Sequence, residues 1–233
     1  MIEGQPAWVL HRRAFRETST LVELFTQERG RIGAVARGAH RRGWSPLLEP
    51  FIPLRVSWRG QGDLKTLTEV EQAGRGYSLR GAAVACGFYM AELLFLLTRR
   101  EDPHPEAWAR YAVAVDELAH GDPEPVLRRF ELVLLAESGY GLQLTVDRYG
   151  EPVRAECRYR YLPEQGVERA MVEGQGTEVS GATLLALAAA EDEALVHEPQ
   201  RTEARWLMRY VLHHRLGGRR LRSREMFRSL RGS

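Results

Sequence analysis

Arginine carries most of the chemistry this sequence could do. Arg31, Arg37, Arg41, Arg42, Arg55 and Arg59 crowd the stretch from Gly30 to just past Trp58, with Trp44 among them. A guanidinium stays charged and donates in a rigid fork that matches phosphate oxygens, while an indole ring can stack on any base. This combination suits a nucleic-acid strand. Arg12, Arg13 and Lys65 are second choices for the same surface. The same charges would also suit a solvated strand face, as charge runs often do.

Other chemistry is poorly supported. The phosphate-cradling G-x-x-x-x-G-K-S/T loop, the G-x-S-x-G elbow and the H-E-x-x-H helix are all missing from the sequence. His213 and His214 are neighbours on a helical stretch, so they point apart and do not chelate one ion together. The acidic groups Glu101/Asp102 and Glu191/Asp192/Glu193 are of a kind that usually solvates loops. Cys86 and Cys157 are too few for a zinc site or a disulfide framework. The reading is therefore no catalytic residue, no metal and no cofactor. Two isolated cysteines and the lack of an apolar leader near Met1 fit a reducing, cytoplasmic compartment.

The charge is unevenly spread. The 233 residues sum to +2, but residues 1–80 carry +5, residues 81–200 carry −11 and residues 201–233 carry +8. Basic surface is thus expected from both ends of the chain and acidic surface from its middle. Lys65 is the only lysine.

Five strands must position the arginines. Ala7–Phe15, Thr20–Thr26, Arg31–Arg37, a run over 54–59 and Leu64–Val70 alternate apolar and polar residues or are rich in β-branched and aromatic ones. On the third, Ile32, Ala34 and Ala36 would face a core, and Arg31 and Arg37 the other side. On the fourth, Leu54, Val56 and Trp58 would face in, and Arg55 and Arg59 out. Pro46, Pro50 and Pro53 predict an edge or bent start for that fourth strand. Five short strands in about 65 residues suggest a small barrel, either OB-like or SH3-like.

From Leu79 the period becomes helical, with helices expected over 79–98, 105–120, 123–138, 181–190 and 201–216. The first is the only membrane suspect, but Glu92 interrupts it, so a buried core helix is expected. Asp122-Pro123 reads as a cap and first turn, and Gly139 as a stop. Residues 142–180 are irregular, with a small hairpin expected around 158–162 and 169–173. The tail over 219–230 is basic, and Arg219, Arg220, Arg222 and Arg224 could extend a binding path. The organisation predicted is α+β: a five-stranded barrel domain over 1–78 and a mainly helical domain over 79–233.

Several stretches together resemble the RecO family of bacterial recombination mediators: AWVLHRRAFRETSTLVELFTQERGRIGAVARGAHR, LLEPFIPLRVSWRGQGDLKTL, EPVLRRFELVLLAESGYGL and GGRRLRSREMFRSL. Their order and spacing match along most of the chain. The resemblance implies an N-terminal OB-fold, a helical domain and no enzyme activity. It implies binding to single- and double-stranded DNA, annealing of complementary strands, and cooperation with RecR in loading RecA onto DNA coated by the single-strand binding protein SSB. It also implies a protein of the nucleoid. Some members carry a four-cysteine zinc module; only Cys157 lies in the corresponding region, so the chain resembles the zinc-free branch. An adaptor that binds only proteins and an RNA-binding barrel are the other readings of the same residues.

The resemblance brings in one further site. The SSB tail it implies is acidic and ends in an apolar residue with a free carboxylate. A groove with arginine at its mouth would suit it. Leu127, Phe130 and Leu134 share one helical face, with Arg128 and Arg129 beside them, and form the expected tail site.

Overall fold

The computed structural model describes residues 1–170, 176–190 and 192–226. They form two compact units. One is Met1–His120 with the segment that returns from Leu221; the other is Gly121–Arg220.

In the first unit, β1 (Ile2–Phe15), β2 (Ser19–Thr26), β3 (Gly30–Ala36), β4 (Leu54–Arg59) and β5 (Leu64–Gln72) close a barrel in the order β1-β2-β3-β5-β4. Strands β3 and β5 run parallel, and every other pair is antiparallel. The barrel is OB-like, as the sequence led us to expect. The period of two places Val9, Val22, Leu24, Ile32, Ala34, Leu54, Val56, Trp58 and Leu67 in one enclosed core. A large side chain buried there contributes roughly 1.5–3 kcal/mol. One expectation is corrected. Strand β4 is not an edge, because it pairs with β1 on one side and β5 on the other. The three prolines lie before it in the connection 37–53, where no ladder donor is needed.

The outward side of β1–β3 is also apolar. Trp8, Leu10, Phe25 and Val35 point away from the barrel core and are buried nonetheless. Helices α1 (Ala82–Leu97) and α2 (Pro105–His120) belong to the same unit. The Trp8 ring meets Tyr111 of α2 edge-on at 5.6 Å. Gly87 lets α1 lie against Phe51, since a Cβ there would come within 2.6 Å of that ring. Gly30 has φ +61° and sits where a Cβ would lie 1.9 Å from the Asp102 carbonyl oxygen. The β2–β3 turn is thereby docked on the α1–α2 connection. Near the C-terminus, Glu92 of α1 accepts hydrogen bonds from the backbone N–H groups of Arg222 and Ser223 at 2.8 and 2.9 Å, and from Ser223 Oγ at 2.7 Å. Residues 227–230 of the expected basic tail lie outside the described residues. No helix among the described residues is long and apolar enough to cross a membrane.

The second unit contains α3 (Pro123–Glu137), a sheet of β6 (Arg158–Leu162), β7 (Gly166–Arg169) and β8 (Thr177–Ser180), then α4 (Gly181–Ala189), α5 (Asp192–Val196) and α6 (Gln200–Arg215). The sheet order is β7-β6-β8. The hairpin starts its second arm at Gly166, earlier than expected; residues 171–173 of the expected arm lie outside the described residues. Asp122 caps α3 through the N–H of Glu124 and takes two bonds from Arg201 at 2.7 and 3.2 Å. Glu203 of α6 accepts from Ser180 N at 2.9 Å, from the Ser180 and Thr183 hydroxyls, and from Arg158. It thus ties β8 and the start of α4 to α6. Partial burial pushes the Glu203 carboxyl up, but the Ser180 and Thr183 hydroxyls, the Ser180 amide and Arg158 outweigh it and hold it at about 2.

Two outcomes are expected. Gly30→Ala forces a left-handed φ and a backbone clash, so it destabilises the first unit by about 2 kcal/mol or more; a calorimetric transition that does not move would contradict this. Glu203→Gln tests linkage. The folded carboxyl lies below its ordinary value of 4.5, so its stabilisation is complete above that value and is lost as pH falls towards about 2. The variant should therefore be weaker by about 1–2 kcal/mol at neutral pH, allowing for solvent screening, and the gap should close through that acid window. Urea titrations at pH 7 and pH 3 read both values.

Candidate nucleic-acid interface

The arginines singled out in the sequence do not share one face. By strand rise, Arg31 and Arg37 stand about 20 Å apart along β3 and its exit. Arg31 is 13% exposed and already engaged. Its Nη1 donates to Glu23 Oε2 at 3.0 Å, its Nη2 donates to the Thr98 carbonyl at 3.0 Å, and its guanidinium lies 4.8 Å from the Phe95 ring centre. Gly33, the next outward position, is covered by Arg100, which also pairs with Glu23. The open arginine face expected on β3 is therefore corrected. Glu23 sits opposite Gly33 on β2 and needs both guanidiniums, and the neighbouring outward positions are spent on packing.

Lys65 is buried, with Nζ donating to Glu101 at 2.6 Å and to the Gln61 carbonyl at 3.3 Å. Trp44 is 9% exposed and packs with the barrel core, so it is not an open stacking platform. Arg42 lies over that ring, 4.6 Å from its centre, and donates to the Thr68 carbonyl at 3.3 Å. Arg12 pairs with Glu49. Arg55 donates to the Gly4 carbonyl at 3.1 Å.

Arg13, Arg37, Arg41 and Arg59 are exposed and make no ion pair among the described residues. Register decides which of them are neighbours. Arg13 pairs across from Leu21, and Thr20 from Ala36, so the end of β1, the start of β2 and the end of β3 lie at one end of the barrel. Arg37, Arg41 and Arg42 follow directly from β3 at that end. Arg59 pairs with Thr66 of β5, which in turn lies opposite Val35 near the end of β3. The sequence reading passes over Arg16, which stands in the short β1–β2 connection, exposed and 5.3 Å from the Phe15 ring centre. Its signal was available, because the first connection of an OB-fold is one of its usual nucleic-acid loops. What the structure assembles is thus a cationic barrel end of Arg13, Arg16, Arg37, Arg41 and Arg42, with Arg12 held beside it by Glu49.

The expected tail site on α3 is closed. Phe130 and Leu134 are fully buried, Leu127 nearly so, and Arg128 is 5% exposed with Nη2 on Glu131 at 3.0 Å. Arg129 is also engaged. The apolar stripe is the unit's own core, and the arginine next to it neutralises a buried carboxylate instead of waiting for one. Among the described residues no group of three or more His, Cys, Asp or Glu is placed to hold a metal. Cys157 accepts a hydrogen bond from Arg169 at 3.0 Å, and Cys86 is buried.

Comparison with known proteins divides the chain directly after the barrel, whereas the compact units divide it after α2, at His120. Residues 1–74 match the family model described as Recombination protein O N terminal, and residues 79–225 match Recombination protein O C terminal. The DNA repair protein RecO of Halorhodospira halophila is 73% identical over 229 residues, covering 98% of each chain. The DNA repair protein RecO of Alkalilimnicola ehrlichii is 50% identical, covering 97% of this chain and 91% of its own. That of Pseudomonas paraeruginosa is 44% identical, covering 96% and 94%. Two matched family models in sequence order, and full-length relatives at this identity, mean that the chain belongs to the recombination protein O family.

Proposed function

We propose that this chain is a recombination mediator in DNA repair, and that it binds single- and double-stranded DNA through the cationic end of its barrel. The observation that carries the reading is the gathering of unpaired arginines there. The relatives named as DNA repair proteins support it. Guanidiniums on that surface neutralise phosphates and release counterions, so two like-charged strands can approach and anneal. Among the described residues no helix carries a row of Asn or Gln side chains that could read base edges, so binding tolerates any sequence. RecR, the acidic tail of SSB and, indirectly, RecA are the proposed partners; the protein's part is to help RecA replace SSB. The role is one of binding, with no catalytic step.

Salt dependence tests the surface. Five arginines on phosphates predict a log–log slope of roughly −3.5 for single strands, at about −0.7 per contact. Replacing Arg37 and Arg41 by glutamate is expected to weaken all sequences alike and to flatten the slope by about 1.4. Unchanged affinity in the double variant would remove the barrel end from the proposal. Annealing of SSB-coated complementary oligonucleotides, with and without the protein, tests the mediator role. An equal-length RNA that competes better than DNA would favour the RNA-binding reading, and no binding at low salt would favour a protein adaptor.

A further inference from the structure

The second unit carries net −3, yet one part of it is strongly basic. From Ala204 to Arg224 the sequence has no Asp or Glu, while it holds Arg205, Arg209, Arg215, Arg219 and Arg220 within that unit, together with His213 and His214. The structure sorts these residues by direction. On α6, Leu207, Met208, Val211 and Leu212 are buried. Arg205 turns aside to Glu124 at 3.0 Å, and His214 and Arg215 turn towards Glu164. Trp206, Arg209 and His213 recur at i, i+3 and i+7 on the face opposite the core, and all three are exposed. The stripe runs into Arg219 and Arg220, also exposed. Neither these two nor Arg209 makes an ion pair among the described residues. Two carboxylates flank the stripe at its N-terminal end, both engaged: Glu198 with Thr202, and Glu203 with Ser180, Thr183 and Arg158.

Trp206 is the notable member. It is 56% exposed, and its ring is accompanied by the Arg209 guanidinium at 5.3 Å from its centre. Nothing in the unit's core accounts for a tryptophan held in water beside free cations. An exposed indole with one guanidinium beside it, and more arginines beyond the C-terminal end of its helix, matches a flexible polyanion carrying planar bases: the ring stacks on a base, and the arginines take phosphates further along the strand.

We propose that the exposed stripe Trp206–Arg209–His213, continued by Arg219 and Arg220, is a second binding surface for single-stranded DNA, separate from the barrel end. The proposal rests on the mediator reading above and deepens it. Annealing needs two strands on one protein, and a second surface holds one strand while the barrel end holds the other. A base stacks on Trp206, and Arg209, Arg219 and Arg220 hold about three phosphates.

The five tryptophans make a direct test possible, because Trp8, Trp44 and Trp58 are buried, Trp108 is half-buried and Trp206 alone is exposed. Oligo(dT) added to the full chain is expected to quench tryptophan emission, and Trp206→Phe is expected to abolish most of that quenching. Trp206→Ala is expected to weaken binding of oligo(dT) to the Arg37→Glu/Arg41→Glu protein on the order of tenfold. Charge reversal at Arg209, Arg219 and Arg220 is expected to flatten the salt slope by roughly 2 and to slow annealing, with an unchanged circular dichroism spectrum. Binding of a labelled oligonucleotide is followed separately by anisotropy. Binding without quenching, or quenching that survives in Trp206→Phe, overturns the stripe and leaves the mediator reading intact. Quenching by a poly-glutamate peptide but not by oligo(dT) overturns it in favour of an acidic protein partner. Absence of any DNA binding overturns the mediator reading and this proposal together.

Discussion

The first unit depends on one carboxylate. Glu23 points outward from β2 and is almost wholly buried, between the guanidiniums of Arg31 and Arg100. Removing one partner of a buried pair costs roughly 3–5 kcal/mol, because the remaining charge is stranded away from water. The two arginines come from different places, one from β3 and one from the connection after α1. Their shared carboxylate therefore fixes the barrel against its own helix, and Arg31 reinforces this by donating to the Thr98 carbonyl. Everything else about the barrel's surface follows from that use of its side. With β1–β3 covered, the exposed barrel arginines that make no ion pair among the described residues lie near strand ends and in the connections.

This arrangement separates two jobs that arginine does in the same chain. Arg31, Arg100, Arg128 and Arg158 neutralise carboxylates within their own units. Arg13, Arg16, Arg37 and Arg41 stay in solvent. A guanidinium suits both roles, since it is weakly hydrated enough to be buried with a partner and forked enough to grip phosphate. Composition cannot distinguish them; only the position of the nearest Asp or Glu in space can.

That distinction marks how far the sequence could be read. Alternation placed β2 to β5 to within two residues at each end, because a closed barrel core imposes a period of two on every strand, but it missed the first five residues of β1. Asp122-Pro123 and Gly139 marked both ends of α3, because capping chemistry is local. The cover over β3 was not legible: it depends on Glu23 meeting Arg100, which lies 77 residues away. Trp44 misled for a similar reason. Its neighbours in sequence are basic and polar, but its neighbours in space are the barrel core. The stripe on α3 looked like a groove because apolar spacing reports a buried face without saying what buries it. Strand β8 is only four residues long and gave no periodic signal at all.

The bonds from Arg222 and Ser223 to Glu92 bear on the order in which the molecule is made. The first unit is discontinuous: the chain leaves it after His120, builds the second unit over Gly121–Arg220, and comes back. During synthesis the barrel, α1 and α2 emerge first, so Glu92 waits without its donors while a hundred further residues are added. Domains fold as units and N-terminal ones begin first, but this one is finished only after its neighbour has been synthesised. The return segment also closes the inserted unit into a loop anchored at both ends. Loop-closure entropy grows only slowly with length, so an insertion of this size costs little more than a short one. The unit begun first is therefore the unit completed last, and what completes it is a carboxylate on α1 capping the returning end of the same chain.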